Sequence, residues 1–295
     1  MNEREQFICT TKELLENDEN TALILAGISM ASFEDDFQKY SKRVINAGIC
    51  EQAVVGVAAG MAICGMVPIV HTIAPFLVER AYEQLKIDFG YQKLQGNFIT
   101  TGGSLDYSSF GATHQCPADI ALLRQIPDFQ VIVPGTADEF KQLFLATYSN
   151  NYPTYYRLSR DENKKSNNIE FGKAIVAKKG TKATVIAIGP MLDMVVSACQ
   201  DLDVTILYYN TVAPFDKATL LANSNSKKFL VCQPFYVGSI TDEIVQVFPN
   251  ERILINEIGV KKQFSQKYGY TREHYENMGI SENNIRCTLE KMINE

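Results

Sequence analysis

The sequence contains no run of about 18 uncharged apolar residues, the minimum for a membrane-spanning helix, so a membrane role is not expected. It also lacks a basic excess: 28 Lys+Arg stand against 34 Asp+Glu, a net charge of −6. Neither a nucleic acid nor an anionic lipid surface is therefore an expected partner. Its seven cysteines, at positions 9, 50, 64, 116, 199, 232 and 287, form no Cys-x-x-Cys pair. That excludes the usual signals of a disulfide framework or a zinc site. The cysteines read as small buried apolar residues of a reducing cytoplasm, and the charged opening Met-Asn-Glu-Arg-Glu is unlike a secretory signal. Repeats and low-complexity tracts are missing as well.

What is present is an alternation of apolar runs and helical patterns over 295 residues, 46% of them apolar. This is enough for two domains with separate cores, and the alternation predicts α/β architecture with a mostly parallel sheet. In the first half, strands are expected at 21–26, 67–72, 97–101, 131–133 and 154–158, and helices at 4–16, 51–64, 76–94, 117–124 and 137–148. In the second half, strands are expected at 184–188, 204–208, 229–232 and 253–256, with helices at 191–202, 217–221, 240–247 and 281–293. The polar stretch Arg160-Asp-Glu-Asn-Lys-Lys-Ser-Asn-Asn168 has no periodicity and reads as a linker. The expected division is thus a first domain over 1–162, a linker over 163–170 and a smaller second domain over 171–295.

One stretch stands out. A short extended run at 43–46 reaches Gly48, and Glu51 then opens a helix of small apolar residues, with no acidic or basic side chain but His71 before Glu79. Acids favour helix N-termini because they offset the macrodipole, which makes Glu51 a cap. Polar groups are seldom left against packed apolar surface without a partner, which makes it a tool. The residues alone leave both readings open.

Residues 48–52, Gly-Ile-Cys-Glu-Gln, resemble the Gly-Ile-x-Glu-Gln region of the transketolase family of thiamine-diphosphate enzymes. That family includes deoxyxylulose-phosphate synthase and the β subunits of 2-oxo-acid dehydrogenases. The resemblance implies that Glu51 hydrogen-bonds the aminopyrimidine of thiamine diphosphate and drives the tautomer that deprotonates the thiazolium. His71-Thr-Ile-Ala-Pro-Phe-Leu-Val-Glu-Arg-Ala-Tyr-Glu-Gln84 is similar to the family's Thr-Phe-x-x-Phe stretch followed by Arg-Ala-Tyr-Asp-Gln. It implies that Phe76 stacks on the aminopyrimidine, as a flat ring suits a flat heterocycle. Ile73 replaces the first Phe of that pair, Arg80 joins the cofactor side, and His71 falls on the substrate side. By spacing alone, Phe76 reads equally as a core residue at a helix start.

Phe110-Gly-Ala-Thr-His-Gln-Cys-Pro117 resembles the family's Asp-Gly-x-Thr-His-Gln loop. His114 is thereby expected to contact the substrate and to donate or shuttle a proton, although a histidine in such a loop can also be purely structural. Phe110 stands where the family acid touches sugar hydroxyls, so that wall is altered. Gly102 replaces another family histidine, and Ile28-Ser29-Met30 replaces Ala-Asp-Leu. Arg160 matches an arginine that binds substrate phosphate, which planar guanidinium donors suit; Arg4 is a weaker second match.

Val185-Ile-Ala-Ile-Gly-Pro190 and Thr211-Val-Ala-Pro-Phe-Asp216 are similar to a strand-and-turn and a turn of the family's C-terminal domain. The expected fold is a pyrimidine-binding domain with a parallel sheet flanked by helices, then a smaller transketolase C-terminal domain. The Gly-Asp-Gly motif that holds the diphosphate and its Mg²⁺ in this family does not occur in the chain. The resemblance then implies the C-terminal subunit of a split, cytoplasmic transketolase that moves a two-carbon ketol unit between sugars or sugar derivatives. A separate N-terminal subunit would carry the metal ligands and complete a heterotetramer or larger assembly. The alternatives are a 2-oxo-acid dehydrogenase β subunit, a deoxyxylulose-phosphate-synthase-like enzyme and a catalytically silent scaffold subunit.

Overall fold

Apolar runs that are covered on both faces build a first, mostly parallel sheet. The structure, a computed structural model, describes residues 1–294. In the first half lie β1 (Thr21–Leu25), β2 (Val44–Asn46), β3 (Val67–Ile73), β4 (Gly96–Thr101), β5 (Gln130–Ile132) and β6 (Pro153–Arg157). The second half supplies β7 (Ile175–Lys178), β8 (Thr184–Ile188), β9 (Thr205–Tyr209), β10 (Thr211–Ala213), β11 (Lys228–Tyr236) and β12 (Leu254–Val260). The seven-stranded sheet runs β10-β5-β6-β4-β3-β1-β2 and the five-stranded sheet runs β12-β11-β8-β9-β7. All neighbours pair in parallel except β10 with β5 and β7 with β9.

The helices follow from local chemistry. Glu3–Asn17 begins with a capping box in which the Asn2 side chain accepts from the Glu5 amide at 2.9 Å. Ala137–Thr147 is capped by Thr136, whose hydroxyl accepts from the Glu139 amide at 3.2 Å. Glu51–Ile63 has no side-chain cap and buries Val54, Val55, Ala58 and Ala59 against the sheet, so packing of small residues holds it.

Several expectations need correcting. The single helix expected at 76–94 is π-helical over Pro75–Glu79 and Leu85–Tyr91, with the Arg80 amide donating to the Pro75 carbonyl. The stretch 211–216, expected as a turn, contributes β10, which leaves the second half to pair with β5. The polar stretch at 163–170, expected as a linker, lacks helix and strand and is held by side-chain hydrogen bonds. Asn163 is 6% exposed and donates to the Gly189 carbonyl at 3.0 Å, while Asn167 donates twice to Glu139. Of the seven cysteines, only 116, 199 and 232 are buried; 9, 50, 64 and 287 are exposed.

Three elements lay hidden from the pattern: β7 and the helices Glu34–Lys39 and Thr271–Met278. β7 is an edge strand flanked by lysines, and both helices are short and polar, so neither period shows.

Candidate active site

The residues singled out by the sequence follow the carboxyl ends of the parallel strands, where ligands of open α/β sheets bind. Ser29 follows β1, Glu51 follows β2, Phe76 follows β3, His114 follows β4 and Arg160 follows β6.

Glu51 is 1% exposed. Its Oε2 pairs with Arg80 Nη1 at 2.7 Å, while its Oε1 is buried with no hydrogen-bond partner. Such an orphaned oxygen is costly, on the order of 1–3 kcal/mol, and in a native fold it calls for an explanation. The Arg80 guanidinium also lies 4.4 Å from the centre of the Phe76 ring. The wide π-helical turn places Phe76 and Arg80 on the same side, four residues apart. Phe76 meets the His114 ring edge-on at 5.1 Å, and His114 Nδ1 is 2.9 Å from Thr113 Oγ1. Glu51, Arg80, Phe76 and His114 therefore form one contiguous group.

Ile73 is half-buried at the end of β3, where its Cγ2 would sit 3.2 Å from a Cβ added at Gly102. Phe110, 61% exposed, lies 5.1 Å from the His114 ring. Arg160 joins the group through Tyr107, with its guanidinium 5.0 Å from that ring and Nη1 donating to the Asp106 carbonyl at 3.3 Å.

His71 departs from its expected substrate contact. It is fully buried, with Nδ1 at 2.9 Å from the Ile99 carbonyl and Nε2 at 3.0 Å from Ser29 Oγ. A carbonyl only accepts, so Nδ1 carries the proton and Nε2 accepts from the serine hydroxyl. Burial lowers its pKa to about 3, against the opposing carbonyl bond. The imidazole thus stays neutral and orients Ser29, whose Oγ accepts from Arg4 Nη2 at 2.9 Å.

Two features escaped the sequence. Tyr107 and Tyr268 each lie against a glycine with positive φ: a Cβ on Gly102 would come within 2.4 Å of the Tyr107 ring, and one on Gly111 within 2.8 Å of Tyr268. Glycine is the residue that tolerates both the φ and the close ring, so Gly102 and Gly111 were the available signals. Behind the loop, Asp119 Oδ2 accepts from Arg157 Nε at 2.7 Å and from the Tyr155 hydroxyl at 3.0 Å, all three buried. Arg157 Nη2 reaches the Pro234 carbonyl of β11 at 3.2 Å, tying the loop's base to the second half.

A cavity of about 620 Å³ opens between the halves, lined among others by Asp106, Asp161, Lys164, Asp193, Arg272 and Tyr275. It contains no member of the Glu51 group. Burial, partly opposed by Arg157, pushes the Asp106 carboxyl up to about 7. Among the described residues no three His, Cys, Asp or Glu side chains gather as a metal site, and no helix is long and apolar enough to cross a membrane.

The profile of the transketolase pyrimidine-binding domain matches residues 4–165, and that of the transketolase C-terminal domain matches residues 172–285. The chain belongs to the transketolase family. It is 33% identical to an uncharacterized 33.6 kDa protein in the fasciation locus of Rhodococcoides fascians, over 97% of this chain and 93% of that one. It is 28% identical to one of the subunits of the apulose-4-phosphate transketolase of Actinobacillus succinogenes, over 74% of each chain. Among solved structures, a split-gene transketolase described as an inactive β4 tetramer superposes with a TM-score of 0.88. That match covers 100% of this chain and 99% of the other at 24% identity, and it speaks for the fold alone.

Proposed function

We propose that this member of the transketolase family is the C-terminal subunit of a split, thiamine-diphosphate-dependent transketolase that transfers a two-carbon ketol unit between sugars or sugar derivatives. The observation that carries the reading is Glu51, a buried carboxylate with one oxygen held by Arg80 and the other left without a partner. A helix cap would spend its oxygens on backbone amides; this one keeps an acceptor in reserve inside an apolar wall. The residues fit the cofactor's aminopyrimidine: Glu51 Oε1 offers an acceptor for a ring N–H, and Phe76 offers a face beside it. Ile73 and Arg80 complete that side. When bound, thiamine diphosphate supplies carbanion stabilisation next to a carbonyl.

This chain's own contribution is positioning and proton handling. Glu51 holds or gives up a proton at Oε1, with Arg80 steadying the opposite oxygen. His114, fixed by Thr113 and by the Phe76 edge, presents Nε2 as a donor to a substrate oxygen. Arg160 binds an anionic group of donor or acceptor. His71 acts through Ser29, which it orients toward Arg4.

In the proposed assembly the diphosphate and its Mg²⁺ are held by an N-terminal subunit, in a heterotetramer or larger complex. The Actinobacillus succinogenes relative is one subunit of a transketolase made from more than one chain, which supports a divided enzyme. The test is a calorimetric titration of thiamine diphosphate with Mg²⁺ into the purified chain, alone and with the N-terminal subunit. Weak binding alone that tightens with the partner is expected. Tight binding to the chain alone would overturn the divided-site reading.

A further inference from the structure

Loop 102–117 brings aromatic rings to the open side of the site, with the short hydroxyls of Ser109 and Thr113 beside them. Its one carboxylate, Asp106, is 6% exposed and accepts from the Arg160 amide at 3.1 Å. Phe110, by contrast, is 61% exposed. It is not loosely hung: its ring centre lies 5.1 Å from that of His114 and 6.0 Å from that of Tyr107. Tyr107 is fixed in turn, since its hydroxyl shares a hydrogen bond with Thr101 at 3.1 Å and its ring rests on Gly102. Tyr268, 74% exposed, arrives from the second half and rests on Gly111. Arg160 ends the row, 5.0 Å from the Tyr107 ring.

Resting on the reading that places the reacting carbonyl beside His114, we infer that Phe110, Tyr107 and Tyr268 form a specificity wall. It selects a carbonyl substrate that carries an aromatic or heteroaromatic ring, with an anionic group at the far end for Arg160. A polyhydroxylated chain laid on these rings would shed water from its hydroxyls without regaining hydrogen bonds. A flat ring gains stacking and burial there instead. The exposed rings of Phe110 and Tyr268, with half-buried Tyr107 behind them, mark a surface that is covered in use, and the guanidinium closing the row favours a carboxylate or phosphate over a neutral tail.

The test compares two aldehyde phosphates that differ in the ring, 4-formylphenyl phosphate and glyceraldehyde 3-phosphate. Affinity for the chain is read by saturation-transfer NMR. The ring compound should bind about tenfold more tightly, in line with one good aromatic stack plus its burial. Phe110→Ala should bring the ratio near one, Phe110→Leu should lose most of it, and Arg160→Ala should weaken both ligands together. Because the chain has no tryptophan, Phe110→Trp adds a single indole whose emission should quench saturably with the ring compound. Phe110 is exposed, so unchanged melting temperatures are expected for all three replacements at that position.

Equal binding of the two aldehydes, or a ring preference that survives Phe110→Ala, would overturn the wall. So would shielding of the Phe110→Trp indole by the N-terminal subunit with no aldehyde present, which would make Phe110 an interface residue. Cofactor and turnover play no part in this measurement, so a failed cofactor titration and a failed ring preference are separate results.

Discussion

Glu51 and Glu139 are the same residue type, each in the first turn of a helix and each buried, at 1% and 0% exposure. Their surroundings differ completely. Glu139 Oε2 accepts from the Gly135 amide at 3.0 Å, the Tyr208 hydroxyl at 2.6 Å and Asn210 at 2.9 Å. Its Oε1 accepts from the amide and side chain of Asn167 at 3.0 and 2.9 Å. Those donors come from both halves and from the stretch between them. Glu51 has one ion pair and one oxygen with no partner. The carboxylate of Glu139 is a fastener, whereas that of Glu51, at equal burial, keeps a free acceptor on the group it forms with Arg80, Phe76 and His114.

The contrast can be broken most forcefully at Glu139. Glu139→Gln turns one acceptor into a donor facing other donors, so the chain should lose about 3–5 kcal/mol of stability. Chemical denaturation followed by circular dichroism measures this, and a loss below about 1 kcal/mol would mean the network does not fasten the halves.

Glu51→Gln should do the reverse. Hydrogen–deuterium exchange at the thiazolium carbon in the assembled complex should slow by at least about 10²-fold. Stability should change by about 1 kcal/mol or less. Normal exchange with a lowered melting temperature would make Glu51 only a cap.

Asp106 lies between the two cases and sharpens the comparison through pH. Its carboxyl is raised from 3.8 to about 7 by burial. Between those values the folded chain keeps a proton that the unfolded chain has released, so the contribution is full in acid and is lost as pH rises through 7. Stability should therefore fall between pH 5 and pH 8, by on the order of 2 kcal/mol from this group. Buried Glu3 is raised in the same direction, so Asp106→Asn should remove part of the slope and not all of it. An unchanged slope would show that Asp106 does not hold that proton.

The smallest effect is expected at the rim. Arg160→Ala should raise KM for anionic substrates about tenfold with kcat little changed, the pattern of lost uniform binding. An unchanged KM would remove Arg160 from the site.

The first sheet, and the candidates Glu51, Phe76 and His114 that the fold brings together, were legible because their signals are local. Buried parallel strands are continuous apolar runs, and each of these candidates sits inside a short motif after a strand. The fasteners were not legible. Glu139 looks like any acid in a capped first turn, and its partners Tyr208 and Asn210 are about 70 residues away in sequence. The stretch at 163–170 read only as a linker because its polarity is visible and the buried carboxylate it serves is not. His71 was expected on the substrate side and its burial was not legible, since only the fold shows Ile99 and Ser29 occupying both of its nitrogens.

β9 and β10 are separated by Asn210 alone, yet they belong to different sheets. The Asn210 carbonyl accepts from the Val133 amide at 2.7 Å during that crossing. The border between the halves in space is thus not the border along the gene. Severing the chain at 163–170 would strip β5 of the strand that covers its edge, and an uncovered edge recruits stray strands. The other fragment would carry an apolar strand with nothing to pair against. For recombination, domain transplantation or fragment expression, the two halves behave as a single cassette, exchanged whole or not at all.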